Sequence, residues 1–422
     1  MTRERITNET FDQLVSAWLD ERSHGPAADP VLDAALSRTH RTRQLPGWLV
    51  PERWLPMRLA TRMASVPRLV PILLLIGLLL AAAVAVGIVG SQRRLPPPFG
   101  LAAPGLVAFI AGGDLWTANP DGSNRVRLTT DPRIDGFPVF SRDGTRIAFK
   151  RLPVDNSRPD WEDWGDIVVA DADGSHSMVL DPDVHSPSPM SWSGDGRFLV
   201  YSRSVGGVDQ VFIAATDGSM RRQVTSDEQD SWGPTLSPDG RTIAFVKSNI
   251  GIFVIQTDST GGRQIAAGPI EQFEFAEWSP DGSKLLYSAR AGGDSPDVWS
   301  VGLDGQPPHQ LVATPDEEYG ATWSPDGQWI AYLSWAGGHR VTVARADGSH
   351  PRPISEPGAW RYPQWSPDAR HVLAVDWRDG GSQPIVAILD PFGSAPMTSF
   401  AIPDVPGLGR ADFASWQRLA LP

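Results

Sequence analysis

Two groups of residues in this chain have the types and spacing to do chemistry, and in both cases that chemistry is recognition. The first is the run 155–164 (DNSRPDWEDW), in which Asp160, Trp161, Glu162, Asp163 and Trp164 set three carboxylates beside two indoles. Exposed tryptophans framed by acidic groups anchor a protein partner or a cation; the same rings can equally fold back onto a neighbouring strand. The second group recurs at a fixed offset from a repeated serine. Counting five residues back from each copy gives Gly136, Ser188, Trp232, Glu274, Tyr319, Arg361 and, from Ser415, Arg410. Asp135, His185, Asp230, Glu318, Trp360 and Asp412 stand close by. Mixed charges with aromatic rings suit a peptide or a small polar ligand.

Bond-making chemistry finds no support. There is no Cys, so disulfides, thiolate metal sites and a Cys nucleophile are excluded. The eight His are scattered and form no His-Glu-x-x-His pair. Asp171-Ala172-Asp173-Gly174 has the look of a calcium loop but lacks the Glu that would complete it, and reads as a hairpin turn. No catalytic residue, metal or cofactor is therefore expected. The first hundred residues carry +4 and the whole chain −12, so residues 101–422 carry −16. Such an acidic body repels nucleic-acid phosphates.

The elements that must position these residues come from an internal repeat. Phe140-Ser141-Arg142-Asp143-Gly144 is followed by Trp192-Ser193-Gly194-Asp195-Gly196, Leu236-Ser237-Pro238-Asp239-Gly240 and Trp278-Ser279-Pro280-Asp281-Gly282. Trp323-Ser324-Pro325-Asp326-Gly327 and Trp365-Ser366-Pro367-Asp368-Ala369 complete the series, with intervals of 52, 44, 42, 45 and 42 residues. That period is the length of a four-stranded propeller blade. Pro presets the turn's φ, Asp bonds its own backbone, and Gly takes φ > 0. Alternating apolar strands such as Ile147-Ala148-Phe149 and Ile330-Ala331-Tyr332 follow each turn, and Asp-Gly hairpins recur at 173–174, 217–218, 304–305 and 347–348. The predicted fold is an all-β, seven-bladed β-propeller. One blade is split between the strands near Leu106–Ile110 and the C-terminal Phe413–Trp416; a six-bladed ring is the alternative if the ends pair differently. In a propeller, the loops entering the inner strands ring one face of the channel, which is where the second group would lie.

The unit Pro-x-Trp-Ser-Pro-Asp-Gly followed by Ile-Ala-Phe resembles the TolB-type propeller family over residues 101–422. Phe140, Leu236, Gly194 and Ala369 depart from it at single positions. The resemblance implies a platform for binding a protein or ligand, often outside the bacterial cytoplasmic membrane. Related propellers also cap serine peptidases, but the Gly-x-Ser-x-Gly motif of that hydrolase domain does not occur here. A propeller accessory to a hydrolase is thus a remote alternative.

Ahead of the propeller, residues 69–90 form 22 consecutive uncharged, mostly apolar positions, long enough for a membrane-spanning helix (68–91). Arg53, Arg58, Arg62 and Arg68 before it outnumber Arg93 and Arg94 after it, which predicts a cytoplasmic N-terminus and an extracytoplasmic propeller at 105–422. The Pro-rich stretch 92–104 would be a spacer. Within 1–67, Phe11, Leu14, Val15, Trp18 and Leu19 have helical spacing and a second helix is expected near 30–42, so residues 8–42 offer a dock for a cytoplasmic regulatory protein. The layout of short helical segment, single span and outer domain resembles membrane-bound anti-sigma factors, in a zinc-free form because Cys is lacking.

Overall fold

The six Ser-Pro-Asp-Gly-type turns are closed by their own side chains. In each, the Ser Oγ donates to the Asp carboxylate two residues on, at 2.5–2.6 Å from Ser141 through Ser366. The same Oγ accepts the backbone N–H five residues ahead, at 2.9–3.0 Å, which starts the next strand. The Asp carboxylate also caps the N–H two residues beyond it, for example that of Gln328 at 3.1 Å. The terminal glycines have φ of 66–71°, and Ala369 takes the same left-handed conformation at 59°. These groups therefore have structural partners already, and the turn repeats because it folds.

A computed structural model describes residues 99–153, 164–185, 190–247, 249–268, 276–290, 295–335, 337–377, 384–393, 398–402 and 414–421. It contains seven four-stranded antiparallel sheets. Blade 1 holds Ala103–Ala111, Asp114–Ala118 and Val126–Arg127, with Ser415–Leu419 as its inner strand. Blade 2 runs Asp135–Phe140, Arg146–Arg151, Trp164–Asp171 and Met178–His185. Blade 3 is Ser191–Trp192, Phe198–Val205, Val208–Ala215 and Arg221–Gln223; blade 4 is Ser231–Leu236, Thr242–Lys247, Gly251–Gln256 and Arg263–Ala267. Blade 5 is Glu277–Trp278, Lys284–Ala289, Asp297–Gly302 and His309–Val312. Blade 6 comprises Glu318–Trp323, Trp329–Trp335, His339–Arg345 and Arg352–Pro353, and blade 7 Trp360–Trp365, Val372–Asp376, Ile385–Leu389 and Thr398–Ala401.

Seven blades and the split closure are as the repeat predicts; joining the two ends leaves no open inner edge. The register refines one detail. Trp416 pairs with Val107 and Ser415 with Ala108, as Trp323 pairs with Ile330 and Thr322 with Ala331. Gln417, and not Ser415, therefore occupies the motif's Ser position, because the closing strand keeps the Trp and replaces the turn. Counting back from Ser415 placed Arg410 two residues out of phase.

The buried core lies in seven clusters, each in the gap between neighbouring blades. Between blades 6 and 7, for instance, Val341 and Val343 meet Trp365 and Val372. Each fully buried aliphatic side chain contributes about 1.5–3 kcal/mol, and the motif Trp adds a polar lock where its indole finds a carbonyl. Trp192 Nε1 donates to Val139 O of the preceding blade at 3.0 Å, and Trp278 Nε1 to Thr235 O at 3.2 Å.

Among the described residues no helix is long and apolar enough to cross a membrane. The expected span at 69–90 and the helices within 8–42 lie outside the described residues, as do residues 92–98 of the spacer.

Candidate binding site in the propeller channel

A cavity of about 620 Å³ runs along the propeller axis, lined by residues from the inner strand of every blade. The inner strands share a local device that shapes it. In blades 2, 4, 6 and 7 the register slips by one residue, where two inner-strand residues, Phe137-Pro138, Gly233-Pro234, Gly320-Ala321 or Tyr362-Pro363, stand opposite one of the next strand. The first residue of each pair has positive φ: 53°, 60°, 64° and 45°. All four pairs line the cavity. A bulge at this point re-aims the strand, and Phe137 and Tyr362 hold aromatic side chains in a conformation that glycine adopts without strain.

Below the bulge, the position two before the motif Ser carries Val139, Ser191, Thr235, Glu277, Thr322, Gln364 and, in the closing strand, Ser415. Several of these reach across to the next blade. Ser415 Oγ accepts Phe140 N–H at 3.1 Å, Gln364 Oε1 accepts Trp416 N–H at 3.1 Å, and Ser191 Oγ accepts Leu236 N–H at 3.4 Å. Glu277 takes the same role toward blade 6, where the Thr322 side chain and the Trp323 N–H bond its carboxylate. Burial nevertheless dominates and pushes the Glu277 carboxyl up to about 7, against the pull of those bonds and of Arg142.

Arg142 and Arg418 stand on the turn side of this belt, each at the position that holds Pro in blades 4–7. They belong to adjacent blades. Burial lowers both guanidinium pKa values, Arg418 to about 10, and the Arg142 charge lowers that of Arg418 further. Phe99 and Gly100 close this end: Arg142 lies over the Phe99 ring at 4.8 Å and Arg418 Nη2 donates to Gly100 O at 2.7 Å.

At the opposite mouth Tyr319 and Arg361 converge on His339. Arg361 Nη1 donates to His339 Nδ1 at 2.6 Å, and the His339 Nε2 meets Tyr319 Oη. Arginine is a donor only, so Nδ1 is the acceptor and Nε2 carries the proton. Burial and the Arg361 charge hold the His339 pKa below its usual value, which favours this neutral form. The exposed Trp335 ring packs edge-on to the imidazole at 4.6 Å.

Of the loop residues singled out in the sequence, Tyr319 and Arg361 line the cavity. The others are placed in structural roles or elsewhere. Asp135 is fully buried and paired with Arg151 at 2.7 Å. Glu318 is buried against Thr314. Trp232 packs in the core between blades 4 and 5. Trp360 is buried between blades 6 and 7 and donates to Glu356 O at 2.8 Å. Asp230 accepts Asp209 N–H at 2.9 Å. His185 packs at a tilt of 59° on Trp164, ring centroids 5.0 Å apart, which places that indole against blade 2. Asp160, Trp161, Glu162, Asp163, Glu274 and Arg410 lie outside the described residues.

Sequence reading missed His339 because it opens a third strand and not a channel loop. It also missed Arg142, Glu277 and Arg418, although comparison between copies carried a signal: Arg142 and Arg418 stand where Pro is usual, and Glu277 is the carboxylate in a belt of small polar groups.

Fold and site together define a seven-bladed β-propeller with an axial cavity of mixed polar and apolar lining. No family model matches the chain. Over 138 residues, 33% of this chain and 29% of the relative, it is 30% identical to a Protein TolB homolog of Chlorobium luteolum. It is 28% identical to Lipoprotein LpqB of Streptomyces avermitilis over 200 residues, covering 43% of this chain and 28% of that protein. The chain thus matches less than a third of the length of either curated relative. An oligogalacturonate lyase from Vibrio parahaemolyticus shares the fold, with a TM-score of 0.53 at 13% identity over 71% of this chain and 90% of that one. The chain thus has TolB-like relatives over a third of its length and folds as a seven-bladed propeller.

Proposed function

We propose that the protein is a membrane-anchored scaffold whose extracytoplasmic propeller binds a protein or peptide partner through the axial cavity. The observation that carries this reading is the cavity itself: inner strands from all seven blades contribute to it, while the repeated turns spend their polar groups on each other. Relatives named TolB and a lipoprotein support an extracytoplasmic binding role, and the apolar run 69–90 with its preceding arginines supports the anchor and its orientation. A phosphatase reporter fused after Pro422 should be active, and a β-galactosidase fusion at the same point inactive. The reverse pattern would overturn the topology.

A second reading is a transmembrane regulator, with a sensing propeller and cytoplasmic helices that hold a transcription factor. It is favoured by one contact: the chain enters the propeller at Phe99–Gly100, directly against Arg142 and Arg418 of the cavity. Affinity capture with the full chain should then recover a sigma factor, and a chain lacking residues 1–67 should not. Equal recovery by both would remove this reading.

A further inference from the structure

The charge of the channel is opposite to that of the propeller around it. Residues 101–422 carry −16. Among the described residues lining the cavity, however, Arg142, Arg290, Arg361 and Arg418 face only Glu277 and Glu317 as carboxylates, with no Lys or Asp. The imbalance is sharpest at the turn-side end. There the two neighbouring guanidiniums of Arg142 and Arg418 share a desolvated space with the single carboxyl of Glu277. Glu277 is itself engaged by Thr322 and the Trp323 N–H, so its negative charge is only partly directed at the arginines.

Two like charges held close in a low-dielectric cavity are costly and favour any anion that can reach them. Low-dielectric walls also focus the field along the cavity axis. Arg361, fixed by His339 and the Trp360 carbonyl, supplies a further positive group at the open mouth. The aromatic side chains of Phe137, Tyr319 and Tyr362 offer apolar surface on the cavity wall. The volume of about 620 Å³ lies in the range of a ligand pocket and admits a short extended segment, not a folded domain.

We infer that the channel receives an extended acidic peptide segment, entering past Arg361 and presenting carboxylates to Arg142 and Arg418. This rests on the scaffold reading above and specifies its ligand. The acidic exterior then acts as a filter, because a basic segment attracted to the outside is repelled within the cavity.

The test is fluorescence anisotropy on the full chain in detergent micelles, using fluorescein-labelled tetraglutamate, tetraserine and tetralysine peptides, with unlabelled trigalacturonate as a competing acidic sugar. Tetraglutamate should bind and the other two peptides should not. Arg142→Gln should weaken tetraglutamate binding by about tenfold or more, the loss expected for one charge-assisted hydrogen bond. Arg361→Gln, at the opposite mouth, serves if Arg142→Gln fails to fold, and should also weaken it. Tetraserine or tetralysine binding as tightly as tetraglutamate overturns the acidic assignment and leaves the peptide scaffold standing. Trigalacturonate binding without tetraglutamate binding overturns it in favour of an acidic sugar. Tetraglutamate binding unaffected by either arginine substitution places the peptide outside the channel and overturns it as well.

Discussion

Replacing Gly144 or Gly240 by Ala puts the same methyl group at the same position of the repeated turn, yet the two substitutions should differ severalfold in cost. Both glycines sit at positive φ, 70° and 69°. An L-residue there costs about 1–2 kcal/mol, offset by roughly 0.4–1 kcal/mol from the stiffer unfolded chain. At Gly240 a Cβ would meet nothing within 4 Å, so the net loss is about 1 kcal/mol. At Gly144 the added Cβ would stand 1.9 Å from the Arg418 carbonyl oxygen and 3.0 Å from its carbon. That carbonyl belongs to the closing strand, which pairs with Ala103 and Pro104 and also donates from Gln417 Nε2 to Gly144 O at 2.9 Å. Relief requires the strand to move, with loss of two or three hydrogen bonds at roughly 1 kcal/mol each. Gly144→Ala should therefore lose about 3–4 kcal/mol in all. Urea denaturation followed by tryptophan fluorescence measures both. Equal midpoints for the two variants would refute the closure described here, since they would show that the C-terminal strand does not bear on the blade 2 turn.

Three further outcomes follow from the same contacts. Ser324 is fully buried, and Ser324→Ala removes the donor to Asp326 and strands the Trp329 N–H; thermal denaturation should show a loss of about 1–3 kcal/mol. Glu277 holds its proton in the folded state up to about pH 7, whereas the unfolded carboxyl ionises near 4.5. The unfolded state thus binds fewer protons between these values, so stability should fall as pH rises through that window and level off above it. Glu277→Gln should flatten the corresponding urea-midpoint profile. Asp131, held down to about 2 by its bonds to Arg133, acts in the opposite sense: its contribution should be present above the ordinary carboxylate range and disappear as pH falls toward 2, and Asp131→Asn should abolish that acid-side loss.

The blades were legible in the sequence because the turn that defines them is local. Ser324, Asp326 and Gly327 satisfy one another within a few residues, so chemistry and spacing coincide. The closing strand was legible as a strand but shifted by two, because it preserves Trp416 and puts Gln417 where other copies have Ser and Arg418 where blades 4–7 have Pro. The site was less readable. An offset of five from the motif Ser points to different environments in different blades: Tyr319 and Arg361 line the cavity, while Trp232 at the same offset packs between blades. Which side chain turns inward depends on the bulge after that position, and the bulge is a matter of backbone φ that Phe137 and Tyr362 do not announce as glycine does. His339 joins the site from the third strand of blade 6, bridged to Gly358 just ahead of blade 7, a proximity that spacing along the chain does not encode.

We propose that a partner docks in the axial cavity. A photo-crosslinking amino acid placed at Tyr319, on the cavity wall, and separately at the exposed Val126 on the outer strand of blade 1, tests it in intact cells. Docking in the cavity should give a discrete protein adduct from position 319 and none of the same mass from position 126. An adduct formed equally from both positions, or from 126 alone, would contradict it.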